Sequence, residues 1–407
     1  MRIHPFRAWR PQSEWAARVA APPYDVLDRD EACALAQNKP LSFLHVSKAE
    51  IDLPAATDGH AAAVYDKAVE TFRRFRQEGV LVQEPEPVLY LYRLIRNGQA
   101  QTGLVACCHA EDYERNIIRK HEKTLKAKED DRMRHLTALN AQTGPVFLAY
   151  RPQAELDALA QKIQAGVPLF DFTSADDVRN TLWRVSEIPV WVQAFARIPM
   201  AYIADGHHRA AAAVRVAQER RAANLRSTGA EEYNWFMAVL FPSDQLHILP
   251  YNRCVHDLNG QTPEAFLLRV AQAGFAVTGL AAPLPTAPRQ VSMYLGGIWR
   301  LLRWEPDPLA DVVSCLDVSV LQDRLLCPIL GIDDPRKNHR IKFVGGIRGT
   351  TELQQRVDSG RAAVAFAMHP TIMDQLLAIA DAGQIMPPKS TWFEPKLKDG
   401  LFLHDLD

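Results

Sequence analysis

The chain has 407 residues, enough for two or three domains at roughly 100–200 residues each. Its 47 basic and 48 acidic side chains leave a formal net charge of −1, so no global field draws it to nucleic acid or anionic lipid. No apolar run approaches the roughly 18 residues of a membrane span, and Met1–Pro11 lacks the apolar core of a signal peptide. The 6 cysteines are scattered without a Cys-x-x-Cys pair, so a reducing cytoplasm is the expected location.

In chain order, an N-terminal segment over residues 1–87 contains a proline-rich turn, Ala21-Pro-Pro-Tyr-Asp-Val26. Apolar residues recur at helical spacing over Ala61–Glu78, until Gly79 ends the pattern. A core over residues 88–250 starts with a predicted hairpin. Strands Val88–Ile95 and Gln101–Cys108 flank Asn97-Gly98, a pair suited to positive φ. A charged stretch follows from Glu111 to Arg134. Pro145–Tyr150 reads as a strand, residues 153–165 as a helix, and Val190–Phe195 and Ala201–Ala204 as strands or strand ends. A helix begins near His207, and Trp235–Phe241 reads as a buried strand.

The C-terminal region, residues 251–407, holds a Pro/Ala/Gly-rich loop at Leu280–Pro288 and a hairpin over Val291–Trp304 that turns at Gly296-Gly297. It continues with a helix over Val318–Leu326, a strand at Ile341–Val344, a helix over Thr351–Ser359 and the segment Ile372–Ala382. Hairpins mixed with helices predict an α+β chain with a mixed sheet.

Ala201-Tyr-Ile-Ala-Asp-Gly-His-His-Arg209 carries the richest chemistry. It reads as a strand, a tight turn and a helix start. A helix N-terminus offers unpaired N–H groups and the positive end of the dipole, and Arg209 adds a fork-shaped cation suited to phosphate oxygens. A plain helix capped by Asp205, with surface histidines, fits the same residues.

Ile118–His135 reads either as a solvated charged helix laced with pairs such as Glu122–Lys126, or as a site. In the second reading Glu122 is a general base, and Lys120, Lys123 and Lys126 draw in an anion. Pro388-Lys-Ser-Thr-Trp-Phe-Glu-Pro-Lys396 reads as a closing loop or as a structural clamp. Asp25 could line a site or simply make a turn. A zinc site from His121, His135, His207 and His208 lacks chelating spacing, because adjacent helical residues point about 100° apart. No Gly-x-Ser-x-Gly elbow marks a serine hydrolase.

Four motifs occur in one order: Pro22-Pro-Tyr-Asp-Val26, Lys120-His-Glu-Lys-Thr124, Asp205-Gly-His-His-Arg209 and Pro388–Lys396. Together they resemble a widespread prokaryotic family catalogued as a domain of unknown function and sometimes labelled ParB-like. Its central part is similar to the ParB/sulfiredoxin-type fold used by free serine kinases. There a His-Glu pair precedes an Asp-Gly-His-Thr-Arg turn; here Glu122 precedes Asp205 by 83 residues, and His208 stands where those kinases have threonine.

The resemblance implies that Glu122, beside His121, takes the proton from a substrate hydroxyl. Asp205, Gly206, His207, His208 and Arg209 would hold nucleotide phosphates, with Asp205 as an alternative Mg²⁺ ligand. Lys123, Thr124, Lys389, Ser390, Thr391, Lys396 and Asp25 would bind substrate. The expected activity is phosphoryl transfer between ADP or ATP, with Mg²⁺, and a small hydroxylated metabolite, serine or phosphoserine first. The alternative is a non-catalytic ParB-like nucleotide switch or DNA-segregation factor. The one basic run, residues 115–134, is interleaved with acids, which argues against nucleic acid. A sulfiredoxin-like role would need a cysteine in residues 205–209, and there is none.

Overall fold

The computed structural model describes residues 1–279 and 283–407. These form two units, one of Met1–Leu246 with Pro395–Asp407 and one of His247–Glu394. Composition breaks suggest cuts near residues 87 and 250. Compactness instead joins residues 1–87 and 395–407 to the core.

The first unit runs β1 (Ile3–His4), α1 (Ala62–Gln77), β2 (Tyr90–Arg96), β3 (Gln99–His109), β4 (Ile118–Arg119), α2 (Lys126–Leu139) and β5 (Val146–Tyr150). It continues with α3 (Ala154–Gln164), β6 (Phe170–Thr173), β7 (Arg179–Arg184), α4 (Ile188–Ala196), β8 (Ala201–Asp205), α5 (His207–Ala223) and β9 (Trp235–Pro242). The strands make a nine-stranded mixed sheet in the order β4-β8-β5-β9-β3-β2-β7-β6, with β1 added beside β3. β4–β8 and β5–β9 are parallel, and the other pairs are antiparallel. At the β2–β3 turn Asn97 has φ 50° and Gly98 φ 77°, the two positive values that such a hairpin needs.

Alternate strand residues Leu91, Leu104, Ala106, Leu148, Ile203 and Leu240 point to one face. There they meet Trp191 and Phe195 of α4 and the alanines of α5. Small side chains at Ala210, Ala212, Ala213 and Ala217 are buried, so α5 lies close on the sheet. α4 corrects the strand expected over Val190–Phe195. Pro189 occupies the first helical turn, and Trp191, Ala194 and Phe195 are buried at helical spacing. The charged stretch is also not one helix. Residues 120–125 form a loop, α2 starts at Lys126, and Lys126 pairs with Asp130 at 2.8 Å rather than with Glu122.

A second cluster gathers Phe43, Val46, Ala68, Phe72, Phe75, Leu139 and Leu403. The last residues belong to this unit by backbone pairing. His404–Asp405 pairs with Ala141–Gln142, Trp9 bridges Leu403, and Ala21 bridges Asp399.

In the second unit β10 (Tyr251–Val255), β11 (Ala276–Gly279), β12 (Gln290–Leu295), β13 (Ile298–Arg303), β14 (Ile341–Gly345) and β15 (Val364–Met368) form an antiparallel sheet. Its order is β11-β13-β12-β15-β10-β14. The β12–β13 hairpin turns at Gly296 (φ 58°) and Gly297 (φ 80°). The expected helix over Val318–Leu326 is α-helical only over Asp317–Leu321 and widens to a π turn over Gln322–Leu326. Of the loop expected at Leu280–Pro288, residues 280–282 lie outside the described residues. The rest carries no helix or strand.

Leu397, Leu401, Phe402, Leu403 and Leu406 are each at most 3% exposed. At about 1.5–3 kcal/mol per buried side chain, their removal rivals the whole stability of a typical domain, about 5–15 kcal/mol. A chain truncated after Glu394 is therefore expected to lose the cooperative unfolding of its first unit. Thermal melts followed by circular dichroism check this, and a truncated chain that melts like the full one would contradict it.

Candidate functional site

β8 ends at Asp205 and α5 begins at His207, so Gly206 alone makes the turn. Its φ is 87°, which favours glycine, and a Cβ there would crowd Arg209 Nε at 3.0 Å. The turn sits at the N–H groups and positive dipole end of a 17-residue helix.

Arg209, in the first turn of α5, has a nearly buried guanidinium. Nη1 donates to the Pro145 carbonyl, and Nη2 lies 3.5 Å from Asp205 Oδ2 and 4.0 Å from Asp25 Oδ2. Lys396 Nζ reaches the same Asp205 oxygen at 3.2 Å. Burial opposes the Asp205 charge, but Lys396 and Arg209 hold its carboxyl well below the usual carboxylate range.

Beneath the turn lies a cavity of about 40 Å³, bordered by Tyr24, Arg132, His135, Gly144, Arg209 and Asp399. That is room for a few waters. The Arg132 guanidinium stacks 3.9 Å from the Tyr24 ring centre. Asp399 is 2% exposed and its Oδ1 has no hydrogen-bond partner. Burial, with help from Asp25, raises Asp399 to about 7 against the pull of Arg209 and Arg132. A Cβ on Gly144 would stand 2.8 Å from Asp399 Oδ1, so this approach also needs glycine.

Glu122 projects from the loop between β4 and α2. Its Oε2 lies 3.6 Å from His207 Nδ1, although 85 positions separate the two residues. The His121 and His207 rings meet edge to face with centres 4.5 Å apart. Burial pushes His121 down to about 4, and burial together with His121 holds His207 well below the ordinary histidine range. Both rings are therefore neutral at neutral pH. His121 Nδ1 and His207 Nε2 are buried without hydrogen-bond partners.

The structure thus brings Glu122, His121, Asp205, Gly206, His207, Arg209, Lys396 and Asp25 to one end of the sheet. Other expected residues are occupied or placed elsewhere. His208 Nε2 accepts from the Leu125 N–H at 3.0 Å, Thr124 donates to Glu129, and Lys123 is exposed. Lys389, Ser390 and Thr391 lie in the second unit. There Lys389 Nζ is 3.4 Å from the Tyr251 hydroxyl, and Ser390 donates to the Pro387 carbonyl. His135 Nε2 is 3.1 Å from the Val46 carbonyl, away from the His121–His207 pair. Among the described residues no three His, Cys, Asp or Glu side chains converge as metal ligands.

A nine-stranded mixed sheet with polar groups gathered at a strand–turn–helix junction defines a mixed α/β protein with a candidate anion site. Residues 3–319 match the protein family of unknown function DUF1015, and the chain belongs to that family. No curated protein matches it. Among solved structures it is similar to a free serine kinase in complex with AMP, at 11% identity and a TM-score of 0.37, over 71% of this chain and 86% of that one. A conserved hypothetical protein from Pyrococcus furiosus matches at 11% identity and 0.36, over 72% and 94%. SbnI with a C-terminal truncation, from Staphylococcus aureus, matches at 10% and 0.38, over 72% and 84%.

Sequence reasoning missed Asp399 and Arg132. The one available signal for Asp399 was its place three residues beyond the Pro388–Lys396 motif. Arg132 was hidden within a charged run.

Two outcomes follow from this geometry. Arg209→Ala leaves Asp205, Asp25 and Asp399 without their shared cation, and is expected to destabilise the first unit by about 3–5 kcal/mol in urea denaturation. An exposed, dispensable arginine would cost a few tenths. Asp399 keeps its proton to about pH 7 when folded, but releases it near 3.9 when unfolded. Its stabilising contribution is full below about pH 4 and is lost as pH rises through 7. Asp399→Asn should therefore gain stability relative to the native chain between pH 4 and 8, on the order of a few kcal/mol. Paired denaturation curves separated by the same amount at every pH would contradict this.

Proposed function

We propose that the chain is a nucleotide-dependent phosphotransferase acting on a small hydroxylated metabolite, with serine or O-phosphoserine first and ATP or ADP as the nucleotide. One observation carries the reading. The half-exposed Glu122 carboxylate stands 3.6 Å from His207, the first residue of a long helix whose N-terminus faces the same junction. A base for a hydroxyl and N–H donors for a phosphoryl group are thereby supplied side by side.

In this reading Glu122 takes the hydroxyl proton while the hydroxyl oxygen bonds to phosphorus and the bond to the leaving phosphate breaks. The first N–H groups of α5 and the exposed Lys123 meet the charge on the transferred group. Neutral His207 orients Glu122, and His121 backs His207. Arg209 and Lys396 are positioning residues, because their charges are already committed to Asp205. Asp25 serves the same network, and Thr124 and His208 brace the loop that carries Glu122. The reading uses the first unit alone, with a core of the ParB/sulfiredoxin type in a cytoplasmic protein.

The residues present do not build a magnesium site of their own, since Asp205 is paired with two cations. Magnesium would arrive on the nucleotide's phosphates, and no step here depends on it.

The test is ³¹P NMR of the protein with L-serine and ATP or ADP, and of the reverse reaction from O-phosphoserine, with CTP and pyrophosphate as further donors. Glu122→Gln is expected to cut turnover by roughly 10²–10⁴ while nucleotide affinity stays within about twofold. Failure of every donor with serine, threonine and homoserine would sink the kinase reading. Tight CTP binding with only slow hydrolysis would put a nucleotide switch in its place.

A further inference from the structure

A larger cavity, of about 400 Å³, opens in the first unit at a different end of the sheet. Tyr150, the last residue of β5, lines it. β5 runs antiparallel to β8 with Tyr150 opposite Ala201 and Phe147 opposite Asp205, so Tyr150 marks the strand end remote from the Asp205 turn, and the cavity lies there between α3 and the face of β2 and β3. Its size falls in the range of small-molecule sites, about 300–1,000 Å³.

Two opposite charges line this cavity without meeting each other. Arg93 of β2 donates through Nη1 to Gln164 Oε1 at 3.1 Å, yet its Nε is buried with no partner. Burial and neighbouring Arg179 weaken its hold on its proton, against the pull of Asp171. Asp157 stands on the first turn of α3, and burial and the nearby Asp244 carboxylate both raise its proton affinity, with no cation opposing them. Leu104, Leu156 and Trp191 form an apolar wall between the charges. An isolated chain gains nothing by keeping a cation and an anion apart in a half-dry cavity, since each bears a desolvation cost that pairing would offset.

Spacing narrows the ligand. Gln164 holds Arg93 and is seven positions beyond Asp157 on α3, so the two ends lie roughly 10 Å apart along the helix. A free α-amino acid carries its two charged groups on one carbon and cannot reach both. An extended dipeptide, at about 3.5 Å per residue, spans about 7 Å and leaves a hydrogen-bond length for contact. We propose that this cavity binds a short zwitterionic peptide, its carboxylate on Arg93, its ammonium on Asp157 and an apolar side chain against Leu104 and Trp191. The site is independent of the phosphotransferase reading.

Isothermal titration of the full chain with L-leucyl-L-leucine tests this, alongside the N-acetylated dipeptide, the dipeptide amide and free leucine. The dipeptide is expected to bind, and each capped form to bind about tenfold or more weakly, the scale of one charge-assisted hydrogen bond. Arg93→Gln should erase the difference between acid and amide. Asp157→Asn should erase the difference between free and acetylated amine. Ala160→Leu pushes three more carbons into the cavity and should weaken binding about tenfold or more, and circular dichroism shows whether each variant is folded. If one charge variant fails to fold, the other and Ala160→Leu still decide. Absence of dipeptide binding, equal affinity for capped and free forms, or unweakened binding in folded Ala160→Leu overturns the proposal.

Discussion

The first unit is organised around one buried guanidinium. Taking an arginine out of water costs several kcal/mol unless carboxylates and carbonyls replace the lost hydration. Arg209 finds them in four places: the Asp25 turn, the Pro145 backbone, Asp205 at the end of β8, and Asp399 near the C-terminus. Those residues come from segments far apart in the chain. Their convergence holds the strand–turn–helix junction in place and keeps the Asp205 carboxyl ionised although it is largely buried.

Features governed by local rules were legible in the sequence. Asn97-Gly98 announces its hairpin, and the apolar spacing of Val64, Ala68, Phe72 and Phe75 announces α1. The Asp205-Gly206 turn is legible because its backbone, at φ 87°, favours glycine. Where tertiary contacts decide, the signal fails. The nearly continuous apolar run Ile188–Ala196, with β-branched Ile188, Val190 and Val192, looks strand-like, and Pro189 settles the matter only once the helix is docked. β6, Phe170-Asp-Phe-Thr173, alternates over only four residues, β7 shows no alternation, and β15, Val-Ala-Phe-Ala-Met, does not differ locally from a buried helix turn. For the site, the proximity of Glu122 to His207 could come only from the resemblance. The roles of Asp399 and Arg132 depend on which charges the fold brings together.

The histidines change character on folding. In sequence, the two imidazoles beside Arg209 also fit surface histidines. In the structure His121 and His207 are buried against each other and uncharged, and His208 accepts from the Leu125 backbone. Positive potential at the junction therefore comes from the helix end and the neighbouring lysine rather than from imidazolium. Near neutral pH the junction's charge therefore changes through Asp399 rather than through the buried His121–His207 pair.

The chain supplies its charge network in two instalments. Asp25, Asp205 and Arg209 are synthesised early, but Lys396 is added 187 residues after Arg209. At roughly 5–20 residues per second, the ribosome leaves roughly 10–40 s in which the junction exists without its final partners. During that interval Asp205 lacks one of its two cations, and strand Ala141–Gln142 lacks its closing neighbour. The nascent protein is thus exposed to wrong pairing at that open edge, and any chaperone that attends its synthesis would meet this face.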